Sequence, residues 1–306
     1  MSLDGYKECS KLAEIADHVA QVVTETGKPW VANLCVKVSF PAKLLSKPEL
    51  LDAAERAKLW QSVATPKELH FSHGQFLGDE GITHVADELK RKPDSNRALA
   101  SLISTRDILR SGDEPLPSFL TFQCMIDGTT LYVTVAYRAM EVTDFFRINL
   151  EEIRMMAFQV YRRNNTVEEV ALCLFVTRAY AKKGMNPLER CEIDRIDQVD
   201  LLDLHRSRLP ELLREKARHS TYPDEQGLRQ LLAVAGEQRR PEYRLPGASP
   251  VLKANLEEAV ADTLKLKELR KSASHHRQIS ELETDLKTRI EKIADMIEEA
   301  LARQPR

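Results

Sequence analysis

Apolar and polar residues follow two different periods along this chain, which predict strands and helices in turn. From Trp30 to Phe40 apolar residues partly alternate with polar ones and many are β-branched, which is typical of a strand. Asp127 and Gly128 lie between two apolar runs and predict a tight hairpin. Four further strands are expected at the apolar runs Leu99–Ile103, Phe119–Ile126, Leu131–Tyr137 and Val170–Val176.

Helical periodicity dominates the remainder of the chain. Residues 6–26 carry an apolar stripe, residues 45–92 are mostly helical apart from a polar break, and a helix is predicted from Leu150 to Arg162. The pattern at the end of the chain predicts one or two highly charged helices. We expect their apolar stripe to pack on its own domain, with a free coiled coil as the alternative. The stripe consists of Ile279, Leu282, Leu286, Ile290, Ile293 and Ile297.

Strands and helices thus occupy the first part of the chain, and a helical carboxyl-terminal extension follows. The character of the sequence changes at Leu201, where short charged helical segments replace the apolar runs. We therefore predict two domains, residues 1–200 and residues 201–306.

Composition and charge exclude several classes of protein. Hydrophobic residues make up 42% and charged residues 30% of the 306, a balance typical of soluble globular proteins. A net charge of -2 offers no general attraction to nucleic acid or to anionic membranes. No apolar run approaches the roughly 20 residues of a membrane-spanning helix, and the amino terminus carries no apolar signal segment.

The metal-binding residue types are scattered. Five cysteines without a CxxC pair argue against a disulfide framework and against a zinc site, so we expect a reduced, cytoplasmic protein. His70, His73 and His84 match no compact ligand spacing, and we expect them on surface loops. The sequence therefore predicts no metal site.

Three phrases occur in a fixed order between about residues 87 and 185. The first, LKRKPDSNR, ends at Arg97 and is followed at once by an apolar run. The second, PSFLTFQ, contains Ser118, and the third, TRAY, contains Arg178 and Tyr180. Because the three phrases keep one order and a nearly gapless spacing, a resemblance of all three to the phrases of one protein family is improbable by chance.

These phrases resemble those of the thymidylate synthase family, which has Pro-Asp-Ser-Arg-Arg, then Pro-Cys-His-x-x-x-Gln, then Thr-His-x-Tyr. The family's Arg-x-x-Asp, followed eight residues later by Asn, is matched by Arg138, Glu141 and Asn149. Arg154 begins RMMA, which also matches. The resemblance implies an α+β fold with a thymidylate synthase-like mixed sheet and flanking helices. It also implies a homodimer assembled by sheet stacking. No counterpart of the family's arginine loop or folate-covering tail is found, which leaves any cofactor unknown.

Ser118 stands where that family has its catalytic cysteine. A hydroxyl ionises far less readily than a thiol and needs an adjacent base. The family's two histidines are Phe119 and Arg178 here, so no base is visible in the sequence. We therefore expect Ser118 to be inactive as a nucleophile, as a small residue at a strand end would be. Cys124 is expected to be a core residue.

Three arginines are candidate anion ligands, because a guanidinium offers a rigid fork of donors to phosphate oxygens. Arg97 and Arg138 match positions that bind the nucleotide phosphate in the family, where the first phrase reaches across the dimer. Arg178 adds a third positive charge in place of a histidine. Salt bridges at a surface or an interface are the alternative role for each.

The resemblance also implies contacts to the nucleoside. Asn149 matches the amide that reads the pyrimidine edge, since an amide presents a donor and an acceptor together; a loop-capping role is the alternative. Tyr180 matches a residue that hydrogen-bonds a ribose hydroxyl, or it ends a strand with its phenol in water. Glu141 is expected to be only an exposed charge.

These features favour a non-catalytic, thymidylate synthase-like protein that binds a pyrimidine nucleotide or another phosphorylated ligand in a sensory or scaffolding role. A partner protein at the carboxyl-terminal helices fits this hypothesis. One alternative is a pyrimidine nucleotide methyl- or hydroxymethyltransferase with an atypical nucleophile, which the loss of the thiol at Ser118 opposes. The other is a protein-interaction module with an empty remnant cleft, which the retention of Arg97, Arg138 and Asn149 opposes.

Overall fold

The computed structural model describes residues 4–78, 80–111, 116–181, 189–218, 224–236, 244–272 and 277–303. The chain divides into two compact units, Met1–Asn186 and Pro187–Arg306. This boundary lies earlier than the one predicted at residue 200, because Cys191 and Ile193 pack into the core of the second unit.

The first unit is built on a seven-stranded mixed sheet with the order β1-β2-β7-β5-β4-β3, and β6 pairs with β7. β5 and β7 are parallel, which requires a crossover between them, whereas β4 and β2 run antiparallel to these two neighbours. The strands are β1 (Lys7–Glu8), β2 (Val31–Pro41), β3 (Leu99–Ser101), β4 (Phe119–Asp127), β5 (Thr130–Tyr137), β6 (Met140–Glu141) and β7 (Glu169–Tyr180).

The predicted hairpin joins β4 to β5. Asp127 pairs with Thr130, so the loop has two residues. Gly128 has a φ of 57°, a left-handed conformation that glycine adopts without strain.

Helices cover one face of this sheet. The crossover between β5 and β7 is α6, and α1 and α4 also pack against the strands. The helices of this unit are α1 (Leu12–Thr24), α2 (Leu51–Trp60), α3 (His73–Leu77), α4 (Thr83–Arg91), α5 (Thr105–Ser111) and α6 (Phe145–Arg163).

Alternation along the strands separates a buried face from an open one. Val36, Leu174, Val135 and Phe122 are all 5% exposed or less and form the core under the helices. The intervening residues face the other way, and most of them stay accessible; Ser39 and Ala171, each 1% exposed, do not. We call this the open face; it carries Cys35, Lys37, Leu99, Met125, Tyr132, Cys173 and Phe175.

The second unit is helical. Its core joins the stripe of α11 to leucines of α8 and α10, so that stripe packs in its own unit as predicted. Its helices are α7 (Gln198–Asp203), α8 (Leu209–Arg218), α9 (Gln226–Val234), α10 (Pro250–Ser272) and α11 (Arg277–Ala302).

Within the described ranges, no helix has the length and apolar character needed to cross a membrane.

Candidate functional site

Four of the predicted site residues lie at one end of the sheet. Ser118 directly precedes β4 and Arg138 directly follows β5. Arg178 and Tyr180 lie within the last three residues of β7. The register places them together: Phe119 pairs with Tyr137, which in turn pairs with Val176. This end of the sheet, where β5 and β7 terminate and β4 begins, is the candidate site.

Arg138 is held in place by the backbone. Its amide donates to the carbonyl of Ser118, its Nε to that of Pro117 at 3.0 Å and its Nη2 to that of Leu116 at 2.7 Å. Burial lowers the pKa of this guanidinium, and no neighbouring carboxylate in the described residues opposes that shift. The side chain is nevertheless partly exposed and keeps one terminal nitrogen free of these backbone contacts.

Arg178 and Tyr180 are positioned on the adjoining strand. The guanidinium of Arg178 lies 5.0 Å from the ring centre of Trp30, within the range of a cation–π contact. Burial raises the pKa of the Tyr180 phenol, the charge of Glu141 raises it further, and Arg178 opposes both effects. Tyr180 is therefore half-buried beside charged groups rather than free in water.

Glu141 is not the exposed charge that we expected. It is 2% exposed and accepts hydrogen bonds from the amides of Thr143, Asp144 and Phe145. These amides open α6, and helix amino termini leave such donors unsatisfied. The longer glutamate side chain thus caps α6, which begins five residues before the predicted start.

Asn149 lies inside α6 rather than in a loop. It is 1% exposed, and its Oδ1 has no hydrogen-bond partner among the described residues. Phe145, Asn149 and Glu152 recur at helical spacing, so they share the face of α6 that points into the unit.

Beside Asn149 lies a buried polar cluster, which we define as Trp60, His73, Tyr137, Asn149 and Glu152. The expectation that His73 lies on a surface loop is wrong. It is 2% exposed, and its Nδ1 lies 2.8 Å from Oε1 of Glu152. Gln61 donates to the same carboxylate oxygen at 2.8 Å.

Aromatic rings enclose the cluster. The Trp60 ring centre lies 4.8 Å from that of His73 and 5.2 Å from that of Phe145. Phe119, which follows Ser118, stacks on Tyr137 at 4.6 Å and meets His73 edge-on at 5.7 Å. The cluster therefore lies directly inside the sheet end that carries Ser118 and Arg138.

Four buried polar atoms of the cluster have no hydrogen-bond partner among the described residues. They are two donors, Trp60 Nε1 and the Tyr137 hydroxyl, and two acceptors, Asn149 Oδ1 and Glu152 Oε2. A buried polar group without a partner costs about 1–3 kcal/mol. Burial raises the pKa of Tyr137, and the charge of Glu152 raises it further, which places the phenol near this carboxylate.

The two residues that replace the family's histidines supply no base to Ser118. Its following residue, Phe119, is buried among rings, and Arg178 carries a permanent positive charge, so neither can take a proton from the hydroxyl. Cys124 is 1% exposed, and burial raises the pKa of its thiol strongly, which makes it an inert core residue as expected.

Arg97 lies away from the other candidates within one chain. It precedes β3, in which Leu99 pairs with Gln123, five residues along β4 from Ser118. At ~3.3 Å per residue that separation is roughly 16 Å. Arg97 is exposed, and its positive charge lowers the pKa of Glu88 after the larger effects of Arg91 and Ser95.

Comparisons with known proteins do not identify the chain: no protein-family model matches it, and no curated protein is significantly similar to it.

The sequence reasoning missed Trp60, His73, Tyr137 and Glu152. A usable signal was present in α6, where Glu151 and Glu152 interrupt a strongly apolar helix. Both are fully buried: Glu151 accepts from the amides of Glu49 and Leu50 and pairs with Arg154 at 2.6 Å. Carboxylates inside an apolar helical segment indicate buried partners, since an unpaired buried charge is too costly.

Proposed function

We propose that this protein has a thymidylate synthase-like fold and binds a phosphorylated small molecule, a nucleotide by preference, at the end of the sheet formed by β5 and β7. On this proposal it does not transfer a methyl group, and its role is sensory or scaffolding. The observation that carries the proposal is the anchored Arg138, an arginine fixed by two backbone carbonyls without a carboxylate partner in the described residues.

A phosphate suits this position for an electrostatic reason. The carbonyl contacts orient the guanidinium but do not neutralise its charge, and Arg178 adds a second positive charge at the same sheet end. Each charge-assisted contact to phosphate contributes roughly 1.5–3 kcal/mol. Bound phosphate would therefore neutralise the charge of Arg138, which no carboxylate of the described residues neutralises.

The buried polar cluster supports binding of a heterocyclic base beside the phosphate. Two donors and two acceptors of the cluster have no partner in the described part of the chain, and they lie among aromatic rings. Small-molecule sites likewise combine an apolar lining with a few polar groups. Asn149 belongs to this cluster and carries one of the acceptors. The rings are packed against one another, so base entry requires them to move.

Arg97 can serve the same phosphate only from a second copy of the chain. The separation along β4 prevents Arg97 and Arg138 of one chain from meeting at one ligand. The proposal therefore includes a homodimer. The stripe of α11 is already packed within the second unit, so a partner protein would use other surfaces of the helices.

Removing either arginine should weaken nucleotide binding about 10- to 150-fold, given 1.5–3 kcal/mol per contact and 1.4 kcal/mol per decade. Calorimetry with nucleoside mono-, di- and triphosphates at two salt concentrations measures this for Arg138→Ala and Arg97→Ala. The losses should not add in the double variant, because both residues serve one ligand.

Arg162→Ala is the matched control, since Arg162 is an exposed arginine in the last turn of α6. It changes net charge equally and should leave binding unchanged. Wild-type affinity in both single variants, or no nucleotide binding by the wild type, would leave the interaction-module alternative as the better hypothesis.

We expect the homodimer to form through the open face of the sheet. Leu99, Met125 and Phe175 are 40%, 37% and 40% exposed there, an accessible apolar set that a second copy would cover. Met125→Asp should shift light scattering towards the monomer at micromolar concentration. Leu51→Asp, a change at a 73% exposed leucine on α2, should not. A wild type that is already monomeric would contradict this prediction.

A turnover assay distinguishes the transferase alternative from the non-catalytic proposal. Conversion of deoxyuridylate with methylene-folate by the wild type, abolished in Ser118→Ala, would establish an atypical nucleophile and end the non-catalytic proposal. Ser118→Cys restores only the thiol. Because Phe119 and Arg178 still replace both family histidines, we expect this variant to gain no activity.

A further inference from the structure

Two cysteines lie in contact on the open face of the sheet, away from the candidate site. Cys35 belongs to β2 and Cys173 to β7, and their sulfur atoms are 4.0 Å apart. Cys35 is exposed and Cys173 is half-buried. The other three cysteines are buried, so this pair contains the accessible thiols of the chain.

The strand register argues against a direct bond between these sulfurs. Cys35 pairs with Phe175 and Lys37 with Cys173, so the two cysteines are diagonal neighbours. Diagonal positions in an antiparallel ladder lie about 7–8 Å apart. Disulfides usually join Cα atoms 4.4–6.8 Å apart, so a bond would require the two strands to shift.

A single atom bound to both sulfurs fits without such a shift. Two bonds of about 2.3 Å, the usual zinc–thiolate length, span 4.0 Å at an S–metal–S angle of about 120°. The strands themselves are fixed by a long, regular ladder that runs from Val31 to Pro41. The pair is therefore a preformed bidentate arrangement.

A lysine and two tyrosines lie around the pair. Lys37 lies next to the pair in the ladder, and its ammonium is 5.7 Å from the ring centre of Tyr6. Tyr6 in turn lies close enough to Cys173, Tyr132 and Cys35 for electrostatic coupling. One positive charge and two phenolic hydroxyls thus lie near the two sulfurs.

We propose that Cys35 and Cys173 form a dithiolate site for one soft, thiophilic metal ion. Thiolate sulfur selects such ions, Cu(I) and Zn(II) among them, over hard cations. No third histidine, cysteine, aspartate or glutamate completes a metal-binding group in the described part of the chain. The remaining coordination positions are therefore filled by solvent or by a small ligand. Binding releases the two thiol protons to solvent and involves no change of oxidation state.

Cadmium is the probe, because its bonds to thiolate absorb in the near ultraviolet. Titration of the reduced full-length chain should give one saturable absorption step at one equivalent of cadmium. Cys35→Ser and Cys173→Ser should each remove that step. Cys191→Ser is the matched control: burial raises the thiol pKa of Cys191 to about 12, and its step should be unchanged.

In the proposed homodimer a second copy would cover the open face, so the same titration is repeated on Met125→Asp, which favours the monomer. A saturable step in the wild-type background or in the Met125→Asp background supports the site. Circular dichroism confirms that each serine variant is folded. A step of equal size in either serine variant, or no saturable step in both backgrounds, would overturn the proposal. So would a stable Cys35–Cys173 disulfide after oxidised glutathione treatment in a chain that takes up no cadmium.

Discussion

Gly74→Ala is expected to destabilise the first unit by about 3 kcal/mol, the upper end of the range for overpacking. A Cβ at position 74 would lie 2.2 Å from the backbone oxygen of Gln61 and 2.5 Å from that of Ser62. Backbone atoms cannot rotate away as a flexible side chain would. The α3 helix would have to move, and His73 would move with it away from Glu152.

Tryptophan fluorescence in a urea titration measures this effect selectively. The chain has two tryptophans, Trp30 and Trp60, and both belong to the first unit. Trp60 is fully buried in the cluster that the substitution disturbs. The midpoint should fall to a much lower urea concentration.

Gly236→Ala is the control, because a Cβ there meets no heavy atom within 4 Å and the glycine has no positive φ. This substitution should leave the tryptophan transition unchanged. An unaltered midpoint for Gly74→Ala would mean that α3 is not pressed against the Gln61–Ser62 backbone.

Asp194→Ala is expected to destabilise the second unit by about 3–5 kcal/mol, the cost of leaving a buried charge unpaired. Lys216 is 8% exposed and donates to both carboxylate oxygens of Asp194, at 2.8 and 2.6 Å. Its third contact is the carbonyl of Asp224 at 2.5 Å. Asp194 also accepts from the amide of Gly227 at 2.9 Å. The substitution therefore leaves the buried Lys216 charge without its carboxylate and the Gly227 amide without its acceptor.

Lys216→Met should be less damaging than Asp194→Ala. Burial raises the pKa of Asp194 above its usual value even with Lys216 opposing it, so without the lysine the carboxyl group can take up a proton. The folded variant then holds that proton more tightly than the unfolded chain. Its stability should be greatest at low pH and should fall as pH rises through the folded-state pKa.

Helical circular dichroism in urea reports both units and tryptophan fluorescence only the first. The circular dichroism transition should therefore move in Asp194→Ala, while the tryptophan transition should not change in either variant. Glu299→Ala is the matched control, since Glu299 forms an exposed i,i+4 pair with Arg303, and such pairs contribute little to stability. Equal stabilities of Asp194→Ala and the control would show that the Lys216 contacts do not hold this unit together.

Local patterns in the sequence identified most of the secondary structure. The strands at β2, β4, β5 and β7, the hairpin at Gly128 and the apolar stripe of α11 all follow from side-chain periodicity and turn chemistry. These properties depend on residues close together in the chain, which is why the printed sequence determines them. The candidate residues Ser118, Arg138, Arg178 and Tyr180 came instead from short phrases that resemble those of the thymidylate synthase family.

Their environments were decided only by the tertiary structure. Glu141 and His73 looked like exposed polar residues, because nothing nearby in the sequence marks them as buried. Glu141 is buried because α6 presents free amides to it, and His73 because α3 carries it to Glu152, 79 residues away in the chain. The same holds for the unit boundary, since residues before 200 pack with leucines of α8. Periodicity shows which face of a helix or strand is apolar. The partner of a polar group is set by contacts between distant segments of the chain, and those contacts exist only after folding.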